Sequence, residues 1–177
     1  MTSGMDWDEN YYSPFSATPK LYYGSDSEKY VLEQAYLHQP GQTYYYSSAS
    51  TQLLTLLLKR AIKASNLSLS DYLSQRLWQP LGMNDAALWH TDEQGLELGY
   101  CCISTNAENW AKIAQLLLND GQWRGQSIIN AEFMQAIKRT SLVSHYAHSL
   151  WVDERLPATF YALMGGTWGN MPLFIQM

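Results

Sequence analysis

The sequence has little charge, almost no cysteine and no long apolar run. Charged residues make up 15% of it, and the excess of acidic over basic residues, 16 against 11, argues against a nucleic-acid partner. The only cysteines, Cys101 and Cys102, are adjacent, so we expect neither a bridge between them nor a CxxC metal motif. No stretch approaches the ~20 apolar residues of a membrane span, and no signal peptide is recognisable at the N-terminus.

What the sequence does contain is typical of a folded globular protein. Hydrophobic residues make up 46% of the chain, with 7 tryptophans and 13 tyrosines among them. A length of 177 residues is sufficient for one domain with its own core, or for part of a larger domain.

Helical patterns come first along the chain, and strand-like patterns come last. Residues 25–27 offer a cap for one helix, Ser104 or Thr105 is the predicted cap of another, and the leucines of residues 53–58 are predicted to be core. The predicted helices lie within residues 25–41, 50–66, 67–83, 104–123 and 130–140. Aromatic and β-favouring runs at residues 148–153, 159–166 and 172–177 predict neighbouring antiparallel strands.

This order predicts an α+β fold of the α/β sandwich type. Within the single partial domain 1–177, we expect residues 1–145 to be mainly helical and residues 146–177 to form antiparallel strands of a sheet.

The stretch "GQTYYYSSAST", residues 41–51, places three tyrosines directly before a helical pattern. Aromatic residues mostly serve packing, so the row alone favours three half-buried side chains. A single catalytic phenol at the start of a helix is the alternative, and the tyrosines by themselves leave both interpretations open.

Three blocks occur in order along the chain: "PGQTYYYSSASTQLLTLLLKRA", "YLSQRLWQPLGM" and "STNAENWAKIAQLLLNDGQWRGQSII". A fourth block, "FYALMGGTWGN", follows, and together they cover most of the sequence. In this combination they resemble the serine β-lactamase-like hydrolases, which include class C β-lactamases, DD-peptidases, esterases and, as the group that looks closest, the 6-aminohexanoate-dimer hydrolases. The resemblance implies a β-lactamase/transpeptidase-like fold.

The second motif of that family is Tyr-x-Asn, and its alignment on this sequence selects one tyrosine of the row. The motif tyrosine falls on Tyr46, the preceding family aromatic on Tyr44, and Tyr45 lies between them. A phenol beside a lysine ammonium can lose its own proton more easily, then accept a proton from a serine nucleophile and return it to a leaving group. Ser48 replaces the motif asparagine, so it is either a substrate-binding residue or a helix cap.

The fourth block falls where the family has its third motif, Lys-Thr-Gly or His-Thr-Gly. Met164, Gly165 and Gly166 take these three positions, and the resemblance implies that the backbone N–H of Thr167 completes an oxyanion hole. Trp168 either lines the substrate pocket or covers the sheet, and a plain glycine-rich turn is the structural alternative. Methionine and glycine side chains cannot hold an anion, so neutral esters and linear amides are the expected substrates.

The family's first motif, Ser-x-x-Lys, is absent, because none of the six lysines has a serine three residues before it. In relatives this motif precedes a segment that resembles Thr2-Ser3-Gly4. We therefore expect the chain to be the C-terminal part of a longer enzyme, incomplete at both ends, whose missing N-terminal segment supplies the nucleophile.

Three functions remain open at this stage. The chain is part of a bacterial serine hydrolase that forms an acyl-enzyme with a small-molecule ester, amide or peptide substrate, or a catalytically inactive, penicillin-binding-like recognition module, or a purely structural domain. No cofactor is expected, and no metal either, since His145 and His148 alone do not make a site. The resemblance favours a periplasmic or secreted location over a cytoplasmic one.

Overall fold

The computed structural model describes residues 1–137, 139, 142–152, 160–163 and 173–176. The helices are α1 Ala17–Tyr23, α2 Ser27–Leu32, α3 Ser48–Ala61, α4 Leu69–Leu73, α5 Ala107–Leu118 and α6 Ala131–Ile137, with a 3-10 turn at Lys63–Ser65 and a π-helical turn at Ser74–Trp78. The strands are β1 Leu88–Trp89, β2 Ile103–Ser104, β3 Gln122–Trp123, β4 Gln126–Ser127, β5 Tyr146–Ala147, β6 Leu150–Val152, β7 Phe160–Leu163 and β8 Leu173–Gln176. None of the described helices is both long and apolar enough to cross a membrane.

Contacts between these elements divide the chain into two compact units. Unit one comprises residues 1–72 and 88–104, and unit two comprises the described part of residues 73–87 and 105–177. The predicted division at residue 145 concerned the type of element rather than contacts, and it stays a prediction.

The largest sheet has four strands in the order β5-β6-β7-β8, and every neighbouring pair is antiparallel. Its longest pairing joins β7 to β8, with Leu163 opposite Leu173. The expectation of neighbouring antiparallel strands in the last part of the chain is confirmed.

Helix α2 is much shorter than the pattern over residues 25–41 predicts. It begins after the predicted cap Asp26, whose carboxylate accepts a hydrogen bond from the backbone of Lys29 at 2.8 Å, but it ends at Leu32. The following backbone pairs with the N-terminal segment instead, since the Ala35 carbonyl accepts from the Asp6 N–H at 2.8 Å. Tertiary pairing therefore replaces the last turns of the predicted helix.

Helix α3 buries only one stripe of its leucine-rich sequence. Leu56 is 1% exposed, whereas Leu54 and Leu57 are 58% and 51% exposed. The prediction that these leucines are all core is therefore wrong, because a period of 3.6 residues turns part of an apolar run away from the core.

The core of unit one joins the N-terminal segment, helices α1 to α3 and the loop before β2. Its fully or nearly buried members are Met5, Trp7, Leu21, Val31, Ala49, Leu56, Ile62, Leu69 and Leu96. Beside them the fully buried Gln52 donates to Ser27 Oγ at 3.1 Å and accepts from the Gly99 N–H at 2.8 Å. A side chain at Gly99 would collide with Thr55, so glycine permits this close approach.

Unit two has two apolar clusters, around Leu116 and around Met134, to which helix α5 contributes. The cap of α5 is Asn106, whose side chain accepts from the Asn109 N–H at 2.8 Å, rather than Ser104 or Thr105. Asparagine is at least as good a cap as serine, so the helix begins one or two residues later than predicted.

Cys101 and Cys102 are bonded to each other as a disulfide between neighbouring residues. The expectation that they form no bridge was wrong. The expectation rested on their being adjacent, and the bonded pair has Cys102 at a φ of 76°, in the region that non-glycine residues seldom occupy.

Candidate active site

The tyrosine row lies at the start of helix α3, as the sequence predicts. Ser47 is the helix cap: its backbone is extended, and its hydroxyl accepts a hydrogen bond from the Ser50 N–H at 3.1 Å. Serine is favoured at this position because its oxygen satisfies an N–H that has no partner within the helix. Tyr46 therefore directly precedes the cap, close to the positive end of the helix dipole.

The three tyrosines have different surroundings. Tyr45 is 50% exposed, whereas the side chains of Tyr44 and Tyr46 are less exposed and partly buried. Burial, followed by the negative charge of Glu9, raises the pKa of Tyr46. Burial also raises the pKa of Tyr44, with a smaller contribution from Tyr46 itself. Both influences on Tyr46 favour its neutral phenol.

Glu9 lies against the first turn of α3 and accepts hydrogen bonds from four donors. Its Oε2 accepts from the Ser48 backbone N–H at 2.8 Å and from Trp7 Nε1, and its Oε1 accepts from Ser48 Oγ at 2.6 Å and from the Tyr11 hydroxyl. An ionised carboxylate has about four lone-pair positions that can accept hydrogen bonds, so the four donors occupy all of them. The negative charge also complements the positive end of the helix.

Ser48 is the first helical residue and is 6% exposed. The interpretation of Ser48 as the helix cap was wrong, because Ser47 takes that role and the Ser48 hydroxyl is free to donate to Glu9. Its interpretation as a substrate-binding residue stays a prediction.

The segment that resembles the family's Thr-Ser-Gly runs beside the tyrosine row. Ser3 Oγ lies 2.7 Å from Ser50 Oγ, and the Met1 carbonyl accepts from the Tyr45 N–H at 3.0 Å. Hydrogen bonds from residues 1–3 thus hold the segment that leads into α3 and the first turn of this helix.

Of the predicted site residues, Tyr46 and Ser48 belong to the described part of the chain, at the start of α3. Met164, Gly165, Gly166, Thr167 and Trp168 lie outside the described residues, so the third-motif strand and its oxyanion N–H stay predictions. The described part of the chain contains no group of three or more histidine, cysteine, aspartate or glutamate side chains that could hold a metal ion.

Sequence reasoning missed Glu9, Tyr11 and Trp7. Their stretch, "WDENY", contains a carboxylate between aromatic residues, but Glu9 and Ser48 are 39 positions apart and no local spacing links them. Burial, followed by the hydrogen bond to Glu9 and the charge of Glu9, raises the pKa of Tyr11, so this phenol also favours its neutral form.

Comparisons with known proteins agree with the fold and with the resemblance. A family model described as Beta-lactamase matches residues 1–169. A candidate 6-aminohexanoate-dimer hydrolase from Bacillus anthracis has a similar structure over 99% of this chain, with a TM-score of 0.82 and 21% sequence identity. A candidate β-lactamase from Bacteroides dorei DSM 17855 is similar over 82% of this chain, with a TM-score of 0.64 and 16% identity.

This chain spans half the length of both of these structures, since each match covers 50% of the other chain. At such identities the likeness concerns the fold, and it confirms the predicted β-lactamase-like α+β class. Comparison with curated proteins gives no significant match.

Proposed function

The chain belongs to the Beta-lactamase family, and on this premise we propose that it forms part of a serine hydrolase that acts through an acyl-enzyme on ester, linear amide or peptide bonds. The observation that carries the proposal is the position of Tyr46: a half-buried phenol directly before the cap of α3, beside the anchored Ser48. A hydrolase of this kind needs such a group to move a proton between the nucleophile and the leaving group.

In the proposed reaction, Tyr46 acts as a phenolate: a serine oxygen attacks the substrate carbonyl, and the serine proton passes to the Tyr46 oxygen. The phenol then returns this proton to the alcohol or amine as the bond to the carbonyl carbon breaks, and water later hydrolyses the acyl-enzyme. Because burial and Glu9 both raise the pKa of Tyr46, the phenol needs a neighbouring cation to lower that pKa, so that it can release its own proton to solvent and accept the serine proton as a phenolate. A lysine of a Ser-x-x-Lys motif would be such a cation, and this motif is not among the 177 residues.

The third-motif positions narrow the proposed substrate class. Met164 and Gly165 stand where relatives have a cation and a threonine hydroxyl, and neither can hold a substrate carboxylate by a charge-assisted hydrogen bond. Neutral esters and linear amides are therefore the proposed substrates, in preference to anionic β-lactams.

Incubation with a serine-directed phosphonate, followed by intact-mass measurement, tests the proposal. The 177-residue chain should gain no adduct, whereas a chain extended upstream through a Ser-x-x-Lys segment should gain one adduct per molecule and should hydrolyse a neutral ester faster than benzylpenicillin. An adduct on the 177-residue chain would show that the nucleophile lies within these residues, which contradicts the proposal that a Ser-x-x-Lys segment outside them supplies it. An extended chain without an adduct would instead favour the inactive recognition module.

A further inference from the structure

The carboxylate of Glu9 is the most heavily hydrogen-bonded side chain at the start of α3, and nothing in the proposed reaction yet uses it. Two of its donors are N–H groups and two are hydroxyls, and they divide between its two oxygens: Oε2 receives the N–H groups of Trp7 and Ser48, and Oε1 receives the hydroxyls of Tyr11 and Ser48. Glu9 therefore holds Ser48 at two points, through its backbone and through its side chain.

The contact fixes the direction of the Ser48 hydroxyl. A hydroxyl has one proton and two lone pairs, and this proton is committed to Glu9 at an oxygen–oxygen distance of 2.6 Å. The Ser48 side chain also has a hydrogen-bond interaction with the Tyr11 hydroxyl. While its proton goes to Glu9, Ser48 Oγ can act toward any further group only as a hydrogen-bond acceptor. An asparagine at this position would offer both an N–H donor and a carbonyl acceptor.

The negative charge of Glu9 also affects the pKa of Tyr46, the proposed proton carrier. The titratable groups linked to Glu9 here are Tyr11, Tyr46 and Tyr100, whose pKa values its charge helps to raise, and Tyr44, which is affected through Tyr46. Glu9 is the acidic member of this group, and its negative charge contributes to the raised pKa of Tyr46.

We propose that Glu9 is a positioning residue of the site: it anchors the first turn of α3 and directs the Ser48 hydroxyl so that Ser48 presents an acceptor to the ligand. The ligand group that suits this arrangement is an N–H donor, such as that of an amide or amine, rather than the oxygen of a second carbonyl. The inference rests on the proposed function, since it takes Tyr46 as the proton carrier, and on the predicted role of Ser48 as a substrate-binding residue. Its test uses the 177-residue chain and needs no catalysis.

Glu9→Gln keeps the length of the side chain but removes its charge and one of its two acceptor oxygens. In spectra of tyrosine labelled with 13C at Cζ, the pKa of Tyr46 should fall in this variant, because the neighbouring negative charge is gone. The Ser48 amide proton should shift at the same time, since its hydrogen bond no longer goes to a carboxylate. The matched control is Glu93→Gln, which removes the same charge from an exposed position and should change neither signal.

A double-mutant cycle with Ser48→Ala measures the anchor itself. Urea unfolding of Glu9→Gln, Ser48→Ala and the double variant should give a coupling of at least about twofold in the unfolding equilibrium constant, as expected for residues in direct contact. If Glu9→Gln does not fold, Ser48→Ala alone remains decisive: it removes one donor from Glu9, so the less compensated charge should raise the pKa of Tyr46 further.

The proposal would be overturned if the effects of Glu9→Gln and Ser48→Ala on the free energy of unfolding are additive. It would also be overturned if the pKa of Tyr46 is the same in wild type, Glu9→Gln and Glu93→Gln. Failure of the phosphonate experiment would leave these readouts unaffected, so the two proposals can fail separately. In the extended chain, Glu9→Gln should reduce turnover of a linear amide more than turnover of the matching ester, whereas a purely structural role would reduce both alike.

Discussion

Tyr44, Tyr45 and Tyr46 are the same amino acid, and only their surroundings distinguish them. Tyr45 is 50% exposed, whereas Tyr46 is less exposed, directly precedes the helix cap Ser47, and has a pKa that burial and the charge of Glu9 raise. The alignment of the family motif selects Tyr46 from the sequence, and the structure gives this residue an environment that differs from that of Tyr45. A row of identical residues can therefore contain one functional member, whose neighbours contribute packing or surface.

The raised pKa of Tyr46 predicts how the stability of the chain depends on pH. The native phenol keeps its proton to a higher pH than the unfolded tyrosine, whose pKa is about 10. This contribution to stability is complete below pH ~10 and is lost as the pH rises from there through the native pKa, because the unfolded state then binds fewer protons.

Urea midpoints measured between about pH 9 and 11 should therefore fall with pH, and Tyr46→Phe should make that fall less steep. Part of the dependence should remain, since burial also raises the pKa values of Tyr11, Tyr30, Tyr44 and Tyr100. If the urea midpoint falls equally steeply in wild type and Tyr46→Phe, the native state does not raise the pKa of Tyr46.

At the scale of the secondary-structure elements, helix α3 depends on the cap formed by Ser47. Ser47→Ala should lower the free energy of unfolding by about 1 kcal/mol, because the Ser50 N–H loses its acceptor. Urea unfolding at neutral pH measures the change. The control Ser144→Ala, at an exposed serine outside the helices, should stay within about 0.5 kcal/mol of wild type. A loss of the same size in both variants would contradict the role of Ser47 as the cap.

The two sides of α3 should respond differently to truncation. Leu56→Ala should cost about 2–5 kcal/mol, because it leaves a cavity in the core of unit one. Leu57→Ala removes the same atoms from the adjacent position, which is 51% exposed, and should cost at most about 0.5 kcal/mol. Thermal unfolding of the two variants provides the comparison. A large loss in Leu57→Ala would mean that this side of the helix is covered.

The elements also show where sequence patterns stop being informative. The start of α3 is predictable to within two residues, because serines before an apolar run are local signals: the pattern places it at residue 50, and the helix begins at Ser48. The end of α2 is not predictable in this way. The backbone after Leu32 pairs with the N-terminal segment, and such pairing produces no periodic pattern in the sequence. The exposed side of α3 escaped prediction for a similar reason: hydrophobicity alone does not say which leucines face a core.

At the scale of the whole molecule, the family and its fold followed from blocks of sequence in a fixed order, and both are confirmed. The candidate site followed only in part. Tyr46 and Ser48 belong to one continuous motif, whereas Glu9 reaches Ser48 across 39 positions and became visible only in the folded chain. Met164 to Trp168 stay predictions, so the oxyanion strand still rests on the resemblance alone.

The central claim, that Tyr46 carries the proton while Tyr45 is a bystander, is tested most directly by one comparison. In a chain extended upstream through a Ser-x-x-Lys segment, pre-steady-state acylation by a neutral ester is measured for wild type, Tyr46→Phe and Tyr45→Phe. Loss of the Tyr46 phenol should slow acylation by about 10²- to 10⁴-fold, the usual contribution of a general acid or base. Tyr45→Phe, which removes the same hydroxyl one position earlier, should leave the rate nearly unchanged. Equal effects of the two substitutions would contradict the claim.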